Sequence, residues 1–330
     1  MKKVNQLLSS LTALLVIMSL YSCQDTEDTT TQGNWVRRSY FEGSNRSHSS
    51  AFTIGSRFFV VGGYTGDEYT RDLWEYDAVL DAWTRRADFP GSPRANAAAF
   101  TIGSKGYYGT GYDGKNRLRD FWSYDPDTDT WTEETPFPGT ARYNAIGFSL
   151  SGKGYIGTGF DGSEQKDFWQ YQPESGGSWK SIISMGGAKR SGAFVFVINE
   201  VAYIGGGVNN GLYEYDFWAF DGNTETWSEK EALDEDDDYA IARSESVGFN
   251  IGPLGYVTTG SQGSLASSTW EYNPTLDVWE DRTNFEGTAR TGASVFSDGD
   301  RAFVLLGTSS SLRFDDIWEF LPFEESDDDD

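Results

Sequence analysis

The chain has a single cysteine and a single histidine in 330 residues. One cysteine excludes an intramolecular disulfide, so a folded domain must be held by its core alone. One histidine leaves no set of imidazoles for a transition-metal centre. A Ser-His-Asp triad would rest wholly on His48, near which no nucleophile-elbow motif stands. Basic residues are scarce: 26 Lys and Arg face 51 Asp and Glu, a formal charge of −25. Such a balance disfavours nucleic acid and anionic lipid surfaces as partners. Helical periodicity is missing beyond residue 34. The one long apolar run, Leu11 to Leu20, is interrupted by Thr12 and Ser19 and is too short to cross a bilayer comfortably.

That run sits behind Lys2 and Lys3 and ends in Leu20-Tyr21-Ser22-Cys23, the layout of a secretory signal. The tetrapeptide resembles the lipobox of bacterial lipoproteins, with Tyr21 a less usual occupant. The resemblance implies lipidation of Cys23 as the mature first residue, with 1–22 as the signal peptide. Residues 23–33 read as a polar tether, and 323–330 as an acidic tail. Loss of Lys2 and Lys3 takes the charge from −25 to −27. Gln24 and Asp25 after the cysteine resemble the surface-export signal of Bacteroidota lipoproteins. Asp is absent from the adjacent position, where it resembles an inner-membrane retention signal in enteric bacteria. The expected location is therefore the outer membrane, with exposure at the cell surface as the finer expectation. The membrane is a partner through the lipid anchor only.

Between the ends, one pattern recurs six times. Arg46, Arg94, Arg142, Arg190, Arg243 and Arg290 are each followed, seventeen residues on, by Gly63, Gly111, Gly159, Gly207, Gly260 and Gly307. A tryptophan follows each glycine: Trp74, Trp122, Trp169, Trp218, Trp270 and Trp318. Self-similarity at 47 to 53 residues marks an array of small sheet units, since one unit cannot bury its own apolar face. Each unit reads as four strands. An apolar strand such as Ala97 to Phe100 is followed by a turn, a strand ending in glycine, and a strand alternating by two, such as Asp72 to Asp77. Further tryptophans at 83, 131, 179, 227 and 279 mark the fourth.

Glycine pairs or singles, then Asp-x-Trp-x-Tyr, then a second Trp resemble the Kelch repeat. The resemblance runs from residue 35 to about 320 and implies a β-propeller of four-stranded blades. Trp318 has no later partner tryptophan, while Trp35 lies eleven residues before Arg46, the interval that separates Trp83 from Arg94. Trp35 is thus expected as the outer strand of the last blade. The expectation is an all-β, six-bladed propeller over 34–322, its ring closed by the N-terminal strand.

The six arginines are expected to ring one channel mouth as a positive annulus. In some Kelch adaptors the matching positions grip acidic peptides, which implies anion binding here. The alternative is an internal ion pair in each repeat, with Asp72, Asp120, Asp167, Asp216 and Asp316 as partners. The fifth unit has Ser268 instead. Its entrance loop is also longer and carries Asp234 to Tyr239. That makes Arg243, Glu245 and this loop the favoured locus. Two residues after each Arg stand His48, Asn96, Asn144, Gly192, Glu245 and Gly292, expected on the same strand face as the Arg and lining the channel. Tyr64, Tyr69, Tyr112, Phe160, Tyr213, Tyr215 and Tyr239 form a candidate aromatic platform for a carbohydrate. Residues 234–238 match no defined calcium loop, and no metal or other cofactor is implied. Copper-radical oxidation of the galactose-oxidase kind needs His, Tyr and Cys ligands that this chain cannot supply.

The leading expectation is a non-catalytic binding module for a glycan or a protein at the channel mouth. The alternative is a sugar mutarotase or epimerase, by resemblance to bacterial six-bladed Kelch sialic acid mutarotases. Glu245 would then move a proton.

Overall fold

The computed structural model describes residues 32–234 and 241–326. Contacts divide the chain into two units, Met1–Thr31 and Gln32–Asp330. The signal peptide, Cys23 and nearly all of the tether lie outside the described residues. So do residues 235–240 of the acidic loop, Tyr239 among them, and 327–330 of the tail.

Gln32–Asp330 is a six-bladed propeller. Each blade is a four-stranded antiparallel sheet in chain order from the axis outward. The first comprises Ser50–Ile54, Arg57–Tyr64, Tyr69–Asp77 and Ala82–Arg86. The sixth comprises Ser294–Ser297, Ala302–Leu305, Ile317–Leu321 and, as its outer strand, Asn34–Arg37. Trp35 stands opposite Phe320 in that pairing, so the expected closure is formed. Every sheet is completed within this unit. Helix is confined to a single 3₁₀ turn, Pro173–Ser175, among the described residues.

Alternation makes the inner strands two-faced. Small residues point into the channel. The opposite face carries one Phe per blade: Phe52, Phe100, Phe148, Phe196, Phe249 and Phe296, none more than 5 % exposed. Phe52, Phe100, Phe148, Phe196 and Phe249 each stack on an aromatic ring of the second strand of the same blade. Phe52, Phe148, Phe196 and Phe249 also meet a third-strand ring of the next blade, and Phe296 meets Tyr76 at 6.5 Å, which carries the packing around the circle. Burying each such ring stabilises the fold by about 1.5–3 kcal/mol. Fourth-strand tryptophans hook the outer rim. Trp131, Trp179 and Trp227 donate their ring N–H to Ala87, Thr135 and Ile183 of the preceding blade, and Trp35 donates to Thr283.

The Arg–Gly spacing also has a backbone reason. The N–H of Gly63 donates to the carbonyl of Arg94 in the next blade at 2.8 Å, and Gly111, Gly159, Gly207 and Gly260 repeat this to Arg142, Arg190, Arg243 and Arg290. Gly307 donates to Arg46 and closes the circle. All six glycines have φ between 84° and 112°, and a Cβ on Gly159 would lie 2.9 Å from the carbonyl of Tyr143 and from Ala145 N.

Gly159→Ala should therefore destabilise the propeller by about 1–3 kcal/mol more than Gly103→Ala, because both variants share a positive-φ cost and only Gly159 adds a Cβ clash with backbone. Gly103 also has positive φ, but a Cβ there meets nothing within 4 Å. The difference in urea midpoint between the two variants measures it, and equal midpoints would rule the steric account out.

Candidate functional site

The six arginines are not a ligand-facing annulus. Each is at most 2 % exposed, and its donors are engaged within its own blade. Arg94 is representative. Its Nε donates to the Ser92 carbonyl at 3.0 Å and Nη1 to the Thr110 carbonyl at 2.9 Å. Nη1 and Nη2 also clasp Asp120 at 2.6 and 2.7 Å. Arg46, Arg142 and Arg290 clasp Asp72, Asp167 and Asp316 in the same bidentate way, and Arg190 pairs with Asp216. The anion-gripping expectation is corrected by burial: a guanidinium taken out of water needs its carboxylate beside it. Arg243 keeps the geometry without the Asp, donating to the carbonyls of Ile241, Thr259 and Ser268 and to Ser268 Oγ at 2.8 Å. Burial pushes its pKa down to about 10.

The residues two positions later do line the channel, but not on the same face as the arginines. His48, Asn96, Asn144, Gly192, Glu245 and Gly292 all have φ between 53° and 66°. This left-handed step swings their side chains toward the axis, while the arginines stay between strands. Their backbones form a second closed ring. His48 N–H donates to the Gly292 carbonyl at 2.7 Å, Asn96 to His48, Asn144 to Asn96, Gly192 to Asn144, Glu245 to Gly192 and Gly292 to Glu245. This ring narrows the channel to a neck enclosing about 140 Å³.

At the neck Glu245 is the hub. His48 Nε2 lies 3.2 Å from its Oε2, and Asn144 Nδ2 makes a long 3.4 Å contact to Oε1. Two glycines permit the convergence. A Cβ on Gly292 would stand 2.6 Å from His48 Nε2, and one on Gly192 would stand 3.4 Å from Glu245 Cγ. Burial raises the Glu245 pKa, but the hydrogen bond and charge of His48 and the Asn144 amide outweigh it, leaving the carboxyl below its usual range. Among the described residues no group of three or more His, Cys, Asp or Glu is arranged to hold a metal.

Around one half of this mouth the aromatic side chains join into an arc. Tyr64 and Tyr69 lie 4.8 Å apart between ring centres, Tyr69 and Tyr112 6.0 Å, Tyr112 and Tyr143 5.6 Å, and Tyr143 and Phe160 5.5 Å. Backbone pairing of Tyr64 with Ser47, Tyr112 with Ala95 and Phe160 with Tyr143 sets the arc directly beside the neck. A guanidinium caps each end: Arg313 lies 5.1 Å from the Tyr64 ring centre and Arg117 5.2 Å from that of Phe160. Neither arginine has a carboxylate within ion-pair distance among the described residues. Tyr213 and Tyr215 lie outside the arc. Their hydroxyls accept from Gly263 N–H and the Gln262 amide, joining the fourth blade to the fifth. Short hairpins at Val208–Tyr213, Ser261–Leu265 and Thr308–Arg313 edge the other half, with Leu212 and Leu312 largely exposed.

Sequence reasoning missed Tyr143, Arg117 and Arg313. A signal for Tyr143 existed. The residue after the repeat Arg is Ser47, Ala95, Ser191, Ser244 or Thr291 in the other five blades, and only the third carries a ring.

Residues 22–145 match the profile of the KLHDC2/KLHL20/DRC7 Kelch-repeats domain. No curated protein matches the chain. The fold is a six-bladed β-propeller, and the match likens residues 22–145 to Kelch repeats.

Asp316→Asn should cost about 3–5 kcal/mol at neutral pH, because Arg290 is left as a buried uncompensated charge. Asp88→Asn, which touches only the exposed pair with Arg85, should stay within about 0.5 kcal/mol. Burial opposes ionisation of Asp316, yet the Arg290 hydrogen bonds and charge, with the Trp318 N–H, hold its pKa below the ordinary value. A depressed folded pKa contributes stability above the unfolded value of about 3.9 and loses it as pH falls through the folded one. The stability gap between wild type and Asp316→Asn should thus be full at pH 6, begin to narrow only below about pH 4, and close as pH falls through the depressed folded pKa. A gap that does not narrow as the pH is lowered below about 4 would contradict the ion-pair assignment.

Proposed function

We propose that this chain is a non-catalytic binding propeller, tethered to the outer membrane through a lipid on Cys23, that takes a glycan or a protein ligand at the aromatic side of its narrow mouth. The arc from Tyr64 to Phe160 carries this reading. Half-buried rings held by backbone pairing present apolar faces at little entropic cost. Hydroxyls of Tyr69, Tyr112 and Tyr143 supply polar edges along the same path. The Arg117 and Arg313 caps offer planar donors without a carboxylate already in place. The buried arginine ring contributes rigidity instead of contact.

The anchor reading rests on Lys2, Lys3, the Leu11–Leu20 run and Ser22-Cys23. Its fit with the fold is that the propeller receives its N-terminal segment on the outer rim. The carbonyl of Gln32 accepts from Thr283 N–H, and Gly33 N–H donates to the Glu324 carbonyl.

One observation favours a second reading, a sugar mutarotase. Glu245 and His48 form a carboxylate–imidazole pair of the kind that moves protons. The neck around them, at about 140 Å³, is smaller than the roughly 300–1,000 Å³ of ordinary ligand pockets, so the binding reading leads.

A propeller beginning at Gln32, screened against acidic and neutral oligosaccharides and extracytoplasmic proteins, should yield a saturable ligand. Tyr112→Ala and Arg117→Ala should each weaken it by about 5-fold or more, the effect of losing over 1 kcal/mol at an anchor, with unchanged melting. Binding indifferent to both variants would remove the arc from the function. Exchange between sugar anomers followed by NMR, lost in Glu245→Gln and intact in Tyr112→Ala, would move the second reading ahead.

A further inference from the structure

The channel does not keep its neck dimensions. At the opposite end, where the inner strands turn back, it opens into a bowl of about 560 Å³, within the range of small-molecule pockets. Its wall carries no positive charge. No Lys or Arg lines it, and its one carboxylate, Asp298, has Oδ1 already occupied by the N–H groups of Asp300 and Arg301 at 3.0 and 2.8 Å. The floor is apolar, from Ala51, Val195 and Val295.

Above that floor, four blades present hydrogen-bonding groups that the protein leaves unused. Thr53 comes from the first blade, Thr101 from the second, Ser149 from the third and Asn250 from the fifth. None has a side-chain hydrogen bond among the described residues. They stand two residues beyond the floor level on strands of common register, on the same face, so they share a level around the axis. An anion finds no cation here on a chain of charge −25. A wholly apolar molecule would strand three hydroxyls and an amide without partners. The fit is to an uncharged ring with an apolar face and hydroxyls around its edge.

We infer that this bowl is a second binding site, for a neutral monosaccharide-sized polyol, separate from the aromatic mouth. Six-fold convergence supplies the shape, and Thr53, Thr101, Ser149 and Asn250 supply the polar contacts. The site is independent of the anchor and of the ligand at the arc.

Ligand-observed NMR of the propeller from Gln32 tests it with galactose, N-acetylglucosamine and myo-inositol as probes, and with glucuronate and glucosamine as charged analogues. At least one neutral probe should bind saturably, with Kd on the order of 1 mM, as a dozen heavy atoms at ordinary ligand efficiency allow. Glucuronate should bind at least about 10-fold more weakly, and glucosamine binding tighter than every neutral probe would assign the site to a cation at Asp298. Asn250→Ala and Thr53→Val should each weaken the neutral probe several-fold, and Val195→Trp should abolish binding by filling the floor. Tyr112→Ala should leave it unchanged. Melting curves screen every variant for folding, and Thr53→Ser, which keeps the hydroxyl, should retain binding. No saturable neutral probe up to ~50 mM, a limit well above that Kd, overturns the inference. So does binding that survives Val195→Trp in a folded protein, or binding lost in Tyr112→Ala in place of Asn250→Ala, which would assign the sugar to the arc.

Discussion

The buried guanidinium is the fastener on which this propeller depends. In five of six blades it binds the Asp that opens the third strand, and in all six it holds a carbonyl sixteen residues on at the end of the second. Its own main-chain carbonyl accepts the glycine N–H of the blade before. One residue therefore fixes strand to strand inside a blade and blade to blade around the ring. Arg suits the task because its planar fork meets a carboxylate and carbonyls together, which the point charge of a lysine does not. The desolvation cost is large, and the structure meets it with a full set of acceptors.

With the blades fastened in this way, the channel-facing positions are free to vary, within limits set by the backbone. The neck residues all adopt left-handed φ, a region in which Gly, Asn and His are at home. Five of the six neck residues are of those types, so their identity has a conformational reason. Glu245 is the exception, since nothing in its backbone favours glutamate. Glycines on either side of it and a histidine within hydrogen-bond distance make it a chemical feature set into a structural ring. The arc beside it has the same character, because Tyr143 replaces a small residue that the repeat otherwise keeps.

Much of the architecture was legible in the chain. The Arg–Gly spacing, the paired tryptophans and the eleven-residue interval before Arg46 together specified six blades and the closing strand at Trp35, because these residues recur wherever the same contact recurs. The channel lining at His48, Asn96, Asn144 and Glu245 was legible as well. The side of the strand was not, because period-two alternation holds only while φ stays extended, and here it does not. Burial of the arginines was foreseeable only as an alternative: a period gives positions around a ring but not depth. His48 and Glu245 stand 197 residues apart, and their meeting depends on Gly292 having no side chain, which no local pattern announces. Arg117 and Arg313 stand twenty-three residues after the repeat Arg, where the first and fourth blades carry Tyr69 and Tyr213, so the position recurs but its charge does not.

The strand Asn34–Arg37 is the first segment of the propeller to leave the ribosome, yet its partner Ile317–Leu321 is nearly the last. Until that partner arrives, the opening strand has no sheet to join, and the first and fifth blades each keep an uncovered flank. Completion is thus a single late event joining residues about as far apart as the chain permits, a slow kind of contact to make. A chain stopped short of Ile317 would be more than one blade-edge poorer. It would carry an unpaired strand at its front and exposed sheet at both ends, the state most prone to pair with another copy.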